Sequence, residues 1–221
     1  MTESLPLFPL GTVLFPGLLL PLHIFEERYR QLMRDLLDGP EPRRFGVIAI
    51  RQGRETGVHG VSALYEIGCT ATLRRVAEHE DGRYDLVSAG TERFRLASLD
   101  DSLPYLRGEV EFLPEPAGDE AAAALAVQAV HGAFRDYLGA LSERGAEVTV
   151  PELPDEPVLL SYLVAATIVL DLPDRQGLLA VPDALRRLEA ERALLTREAA
   201  MLRTFTSAPA PDLRNTPFNP N

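Results

Sequence analysis

The sequence predicts an α+β fold, in which a mostly antiparallel sheet with one inserted helix curls into a barrel or sandwich and is followed by helices. Apolar residues recur at every second position through much of residues 45–113, which is the spacing of strands with one buried face. Clustered Pro and Gly at residues 114–118 end this pattern. An Ala-rich segment and apolar residues at helical spacing follow, so the composition shifts from strand-forming to helix-forming residues.

The chain opens with two short strands and one helix. The apolar stretches Leu5–Leu10 and Leu18–His23 flank Phe15-Pro16-Gly17, where Pro followed by Gly suits the central positions of a type II turn. Residues Phe25 to Leu37 place apolar side chains at helical spacing. Asp38-Gly39-Pro40 ends this helix, because Gly favours the C-terminal turn and Pro cannot continue a helix.

Five further strands are predicted before the Pro- and Gly-rich stretch. Turn-forming residues at Asp81-Gly82 and at Gly90, and the polar corner Asp100-Asp101-Ser102, separate several of them. The predicted strands are Phe45–Arg51, Tyr65–Val76, Tyr84–Ala89, Glu92–Ala97 and Tyr105–Leu113.

The second half of the chain predicts four helices and a tail. Asp119 is a plausible N-cap for a helix to about Leu141, and Asp155 for a helix with Pro157 in its first turn. After a break at residues 171–174, a short helix covers 175–180 and a long one covers about 182–205. We therefore divide the chain into a strand-rich part (1–113), a helical part (119–205) and a flexible Pro-rich tail (206–221).

Composition argues against several classes of function. All 22 basic residues are Arg, so a P-loop, a Schiff base or a Ser–Lys dyad, each of which needs Lys, is not expected. The net charge of -11 disfavours binding to nucleic acid. The apolar runs are too short to span a bilayer, and four prolines within residues 1–21 argue against a signal peptide. We expect a cytoplasmic protein with no membrane segment.

The chemically reactive side chains form no recognisable catalytic or metal-binding pattern. Cys69 is the single cysteine, and its place in a strand predicts a small buried apolar residue rather than a nucleophile. The histidines His23, His59, His79 and His131 lie far apart in sequence, outside metal-ligand spacing. We expect no catalytic residue, no metal ligand and no cofactor.

Several segments resemble the LON substrate-binding domain family, the N-terminal domain of ATP-dependent Lon protease. The resemblance covers about Leu5 to Arg203, and its most specific part is the N-terminal run. The segments that carry it are Leu5-Pro6-Leu7-Phe8-Pro9-Leu10, Val13-Leu14-Phe15-Pro16-Gly17, Leu20-Pro21-Leu22-His23-Ile24-Phe25-Glu26, Gly90-Thr91-Glu92-Arg93-Phe94-Arg95-Leu96, Pro104-Tyr105-Leu106-Arg107-Gly108-Glu109-Val110, Leu170-Asp171-Leu172-Pro173, Gln176-Gly177-Leu178-Leu179 and Arg187-Leu188.

The resemblance implies a PUA-like antiparallel β pseudo-barrel with one inserted helix, followed by a C-terminal α-helical bundle. It also implies a non-catalytic module that binds unfolded or extended polypeptide, without the ATPase and peptidase domains of Lon. Such a module could serve a separate protease or chaperone as an adaptor. The alternative is a PUA-like binder of a small molecule or RNA, and the negative charge disfavours RNA.

Phe15 is the predicted binding residue. A large aromatic side chain at a turn is either packed back onto the sheet or offered to a partner, and both alternatives remain open from the sequence. The sequence does not indicate the oligomeric state.

Overall fold

A computed structural model describes residues 2–53, 61–146 and 152–204 of the chain. These residues form six strands and five helices, an α+β arrangement. In chain order they are β1 Thr2–Leu10, β2 Leu19–Ile24, α1 Glu27–Asp38, β3 Arg44–Gly53, β4 Val61–Glu78, β5 Tyr84–Asp100, β6 Arg107–Phe112, α2 Glu120–Glu143, α3 Pro157–Thr167, α4 Leu172–Ala180 and α5 Ala184–Thr204.

The strands form one mixed sheet in the order β2-β5-β4-β3-β1-β6, and a further pairing of β5 with β6 closes five of them into a ring. β1 runs parallel to β3, with Leu7 opposite Gly46. The observed sheet is therefore mixed, whereas the family resemblance implies an antiparallel pseudo-barrel. The parallel pair arises because β2 and α1 form a crossover between β1 and β3, whereas the neighbouring strands β3, β4 and β5 pair antiparallel.

The two strands predicted at Tyr84–Ala89 and Glu92–Ala97 are one continuous strand, so the turn predicted at Gly90 is wrong. Gly90 serves a different purpose, because a Cβ atom there would lie 2.3 Å from the carbonyl oxygen of Phe15. The residue lets the Phe15-Pro16-Gly17 turn approach the strand backbone. Its N–H donates to the carbonyl of Leu18, and its own carbonyl accepts from Gly17.

Helix boundaries also differ from the prediction at two places. Glu156, rather than Asp155, is the N-cap of α3, and its carboxylate accepts from the N–H groups of Val158 and Leu159. α4 begins at Leu172 inside the predicted break, since Asp171 caps it and Pro173 is tolerated in the first turn, where a missing N–H costs no hydrogen bond. The predicted cap of α2 is confirmed: Asp119 accepts from the N–H of Ala122 at 2.9 Å.

Apolar clusters fix α1 to the sheet and the helices to one another. Tyr29 on α1 stacks on Phe8 of β1, with ring centroids 4.0 Å apart, in a cluster that also holds Leu32, Met33 and Leu36. A second cluster is shared by α2, α3 and α5, including Phe134 and Leu188. Among the described residues, no helix combines the length and apolar character needed to cross a bilayer.

A third cluster joins the sheet to the helices. Phe15 and Ile67, from the strand-rich part, pack in it with Tyr162 of α3 and with Leu178 and Leu179 of α4. Its members come from both sides of the stretch at residues 114–118, so the two parts of the chain share buried apolar surface. Whether they are separate domains stays a prediction, and the predicted tail at residues 206–221 lies outside the described residues.

Candidate functional site

An open cleft lies between the Pro16–Gly17 turn of the strand-rich part and the first turns of α3. It consists of two adjoining cavities of about 550 and 510 Å³, which share Pro16, Gly17, Leu159 and Tyr162 as lining residues. Leu18, Leu153 and Leu163 line the first cavity. The second extends towards Leu113 and Pro114, where the sheet ends. Most of the surface that the cleft offers is apolar.

The turn at the mouth of the cleft has the predicted geometry. Gly17 has φ +83°, the left-handed value that the third residue of a type II turn requires. The N–H of Leu18 donates to the carbonyl of Phe15 at 3.3 Å across the turn. Two further hydrogen bonds to Gly90 hold the turn on β5, so this wall of the cleft is anchored to the sheet.

The structure places Phe15, the predicted binding residue, beneath the cleft and fully buried. Its ring lies 6.2 Å from that of Tyr162, and the guanidinium of Arg175 lies 5.9 Å from its centroid. Of the two alternatives for this aromatic, the packed-back position is the one observed. That Phe15 contributes to binding stays a prediction. In this conformation the buried ring would contribute only by positioning Pro16 and Gly17, which line the cleft.

Arg93 of β5 supports the floor of the cleft and is buried. Nε donates to Glu115 at 2.7 Å, and the two terminal nitrogens donate to four backbone carbonyls at 2.5–3.3 Å. These carbonyls belong to Leu179, Val181, Pro114 and Pro182. Because a guanidinium has five N–H donors, all of them are used within the protein.

A second buried arginine, Arg187 of α5, completes the network. It donates to Glu115 at 2.7 Å, to the hydroxyl of Ser161 at 2.8 Å and to the carbonyl of Leu178 at 3.2 Å. The carbonyls of Leu178 and of Leu179 lie at the end of α4, where helix carbonyls lack partners within the helix. Arg93 and Arg187 therefore cap α4 and tie it to the sheet and to α5.

Both carboxylate oxygens of Glu115 accept hydrogen bonds from protein groups. The carboxylate accepts from both arginines, and the hydroxyl of Tyr162 also donates to it. Burial raises the pKa of Tyr162 well above its usual value, and its hydrogen bond to Glu115 adds to the shift, although the Arg187 guanidinium, 4.1 Å from the ring centroid, opposes it. The hydroxyl therefore stays protonated at neutral pH and is suited to hold α3 in place rather than to transfer protons.

Other reactive side chains lie apart from the cleft. Cys69 is buried, and desolvation raises the pKa of its thiol to about 12, which agrees with the prediction of an unreactive residue. His23 and His79, distant in sequence, both hydrogen-bond to Asp85, at 2.6 and 2.7 Å. The pairing of β2 with β5 and the β4–β5 hairpin bring them together, which sequence spacing did not indicate. Within the described ranges, no group of three or more His, Cys, Asp or Glu side chains, this one included, is placed so that it could hold a metal ion.

The network of Arg93, Glu115 and Arg187 was not identified from the sequence. Its members are up to 94 positions apart, and only the fold brings them together. Arg93 and Arg187 occur in segments that carry the family resemblance, but that signal does not assign them a role. Glu115 lies in the stretch that the sequence indicates only as a boundary.

Comparison with known proteins connects the sequence and the fold to one family. A family model described as the ATP-dependent protease La (LON) substrate-binding domain matches residues 4–197. The crystal structure of a Lon N-terminal domain protein from Xanthomonas campestris has a TM-score of 0.63 and 26% identity, covering 86% of this chain and 98% of that one. The N-terminal domain of Mycobacterium avium complex Lon protease shares the fold, with a TM-score of 0.61 at 18% identity over 90% of this chain and 98% of that one.

Several curated relatives are named Lon protease or Lon protease 2. Lon protease 2 of Syntrophobacter fumaroxidans is 25% identical over 205 residues, which cover 91% of this chain and 25% of the relative. Lon protease of Escherichia coli K12 is 25% identical over 201 residues, covering 90% of this chain and 25% of the relative. Lon protease 2 of Myxococcus xanthus is 28% identical over 205 residues, covering 91% and 24%. The chain thus spans about a quarter of the length of these relatives.

Proposed function

The chain belongs to the family of LON substrate-binding domains, and from this premise we propose that it is a non-catalytic module that binds polypeptide in the cleft between the Pro16–Gly17 turn and α3. We further propose that it acts in the cytoplasm, as an adaptor that presents unfolded or extended clients to a separate protease or chaperone. The family match supports the substrate-binding role. The cytoplasmic location and the adaptor role go beyond the family match and are part of the proposal.

The observation that carries the proposal is the apolar surface of the cleft. Leu159 on the outer face of α3 is 51% exposed although it lines both cavities, and Pro16, Leu18 and Leu153 lie around it. Exposed apolar side chains that line a concavity are a common feature of protein-binding surfaces. The anchored turn and the capped start of α3 provide rigid walls, which reduce the entropy lost on binding.

A small-molecule site in the cleft has less support. The cavity volumes fall within the range of about 300–1,000 Å³ that small-molecule sites occupy, which is the feature in its favour. Such sites, however, need a few polar groups free to fix the ligand. Here the donors of Arg93 and the carboxylate oxygens of Glu115, on the floor of the cleft, bond to protein partners, and the carboxylates that remain free among the described residues, those of Glu152 and Asp155, are exposed rather than enclosed.

Strand addition at β2 is a second way to bind an extended polypeptide. Among the described strands, β2 has a partner along one edge only, so its other edge could pair with a client. Pro21 lies in the middle of this strand, opposite Val87, and has no N–H to offer. A proline on an edge strand is a common protection against such pairing, and we therefore favour the cleft.

The proposal is tested with labelled, unfolded client proteins and fluorescence anisotropy. We expect saturable binding with Kd on the order of micromolar or weaker. Leu159→Ser should weaken it about tenfold or more, because an exposed leucine contributes apolar contact area. Leu99→Ser is the matched control: Leu99 is 50% exposed but does not line the cleft, so this variant should bind like the wild type.

Two results would count against the proposal. Saturable binding to none of several unfolded clients would reject polypeptide binding. An equal loss of affinity in both leucine variants would reject the cleft as the binding site.

Purified protein should neither hydrolyse ATP nor cleave unfolded casein. Turnover that disappears on mutation of one residue of this chain would overturn the non-catalytic assignment.

A further inference from the structure

The lining of the cleft combines an apolar floor with an excess of negative charge. Among the residues that line the two cavities, one is basic, namely Arg93, and five are acidic. The acidic residues are Glu92, Glu115, Glu152, Asp155 and Glu156. Arg93 and Arg187 both pair with Glu115 at 2.7 Å, so the charge of Glu115 is compensated and the other four carboxylates carry the excess.

Three of these carboxylates form one wall, in the segment that leads into α3. Among the described residues, no arginine forms an ion pair with Glu152, Asp155 or Glu156, and the carboxylate of Asp155 lies 4.0 Å from the ring of His131. Glu152 and Asp155 are exposed. The wall thus presents carboxylates to solvent beside the exposed Leu159.

The start of α3 does not attract anions in spite of its helix dipole. Glu156 accepts from the N–H groups of Val158 and Leu159, at 3.0 and 2.6 Å, so the free amides that would bind an anion are occupied by an anionic side chain. The opposite wall carries Glu92, whose ion pair with Arg44 is long, at 3.5 Å. Both walls therefore favour a cationic occupant.

We infer that the cleft selects extended polypeptide segments in which Arg or Lys alternates with aliphatic side chains, and that it discriminates against acidic segments. This inference rests on the proposed function, since it names the class of polypeptide that the same cleft takes. Aliphatic side chains cover Leu159 and the floor, while the cations lie against Glu152 and Asp155. Unpaired charges on the wall of a cleft also attract oppositely charged segments over a longer range.

The test uses three labelled peptides of equal length and identical leucine content, with Arg, Gln or Glu at the intervening positions. At about 0.05 M salt, we expect the Arg peptide to bind about tenfold more tightly than the Glu peptide, with the Gln peptide between them. At about 0.5 M salt the difference should shrink to about twofold, because screening weakens exposed charge pairs.

A double variant tests whether the carboxylates of Glu152 and Asp155 cause the preference for the Arg peptide. Glu152→Gln/Asp155→Asn should reduce the preference for Arg over Glu to about threefold or less, with binding of the Gln peptide unchanged. Glu156 is left intact because it caps α3. The matched control Glu80→Gln/Asp101→Asn removes the same charge from exposed positions outside the cleft and should retain the full preference.

The outcomes distinguish charge selectivity from polypeptide binding itself. Equal, salt-insensitive binding of all three peptides, or tighter binding of the Glu peptide, overturns the charge selectivity and leaves polypeptide binding intact. Equal loss of preference in both double variants also overturns it, because the effect would then follow net charge rather than the cleft. Binding of none of the peptides, together with no binding of unfolded clients, rejects the proposed function itself.

Discussion

At the scale of single residues, three charged side chains are buried among the described residues: Arg93 on β5, and Arg187 and Glu191 on α5. Arg93 and Arg187 are buried and share Glu115, which lies between the two parts of the chain. Breaking such a group leaves a buried charge without its partner, which costs about 3–5 kcal/mol. Glu191, one helical turn after Arg187, is buried but has no hydrogen-bond partner among the described residues.

Phe15→Ala should destabilise the protein by about 3–5 kcal/mol, because it empties a fully buried aromatic position between the turn and Tyr162. Urea denaturation monitored by circular dichroism measures this change in the free energy of unfolding. Loss of stability together with weaker client binding would be expected if the ring supports the cleft from beneath. A folded variant with unchanged stability would contradict the packing role.

Glu191 should make the protein less stable as the pH rises. Burial raises the pKa of Glu191 well above its ordinary value, and the charge of Arg187 opposes this only in part. Between the unfolded and folded pKa values the native state holds a proton that the unfolded chain has released, so the free energy of unfolding falls with increasing pH. Glu191→Leu should therefore stabilise the protein by roughly 1–3 kcal/mol at neutral or higher pH.

The measurement is urea denaturation of wild type and Glu191→Leu at several pH values from 5 to 8. The gain in stability should be smallest at the acidic end, where the unfolded carboxyl also begins to protonate. A gain that is the same at every pH would show that packing, rather than titration, accounts for it.

At the scale of elements, β5 organises the sheet. Its first half pairs with β2 and its second half with β6, while β4 lies along the other edge. The strand also carries Gly90, which holds the Phe15-Pro16-Gly17 turn, and Arg93, which caps α4. The position of the cleft therefore depends on β5, which holds the Phe15-Pro16-Gly17 turn through Gly90 and the end of α4 through Arg93.

Gly90→Ala should move the turn and weaken client binding. The added methyl carbon would lie 2.3 Å from the carbonyl oxygen of Phe15, a backbone atom, so the turn itself would have to move to make room. We expect a loss of about 1–3 kcal/mol of stability and a reduced affinity for unfolded clients. Gly132→Ala, inside α2, where nothing lies within 4 Å of the new carbon, is the control: it should keep the affinity and lose no stability, because Ala is favoured over Gly inside a helix. Wild-type affinity in Gly90→Ala would show that the turn does not shape the site.

At the scale of the whole molecule, the strand-rich and helical parts are coupled by apolar and polar contacts together. Ile67 and Phe15 share a buried cluster with Tyr162 and Leu178, and Gln176 donates to the carbonyl of Ile67 at 2.8 Å. The stretch at residues 114–118 takes part as well, since its carbonyls at Pro116 and Ala117 accept from the first N–H groups of α5.

Fragments cut in this stretch should therefore be less ordered than the full chain. Residues 1–113 lose the acceptors that satisfy Arg93, and residues 119–205 lose Glu115 and the sheet surface beneath α3 and α4. We expect both fragments to give broad, weakly cooperative denaturation and a mixture of the two to regain part of the cooperativity. If each fragment alone unfolded cooperatively and were as stable as the same part within the full chain, the two parts would not be coupled.

The sequence by itself determined the class of the fold, the order of most elements and the family. Local signals were sufficient for these, because Asp119 caps α2 through a contact three residues away and Pro16-Gly17 makes its turn within four residues. Only the tertiary structure decided that Gly90 lies inside a strand and that Phe15 is buried. It also brought Arg93, Glu115 and Arg187 together beneath the cleft. Each of these depends on partners far away in sequence, and spacing along a chain carries little information about which distant strand or helix will become a neighbour.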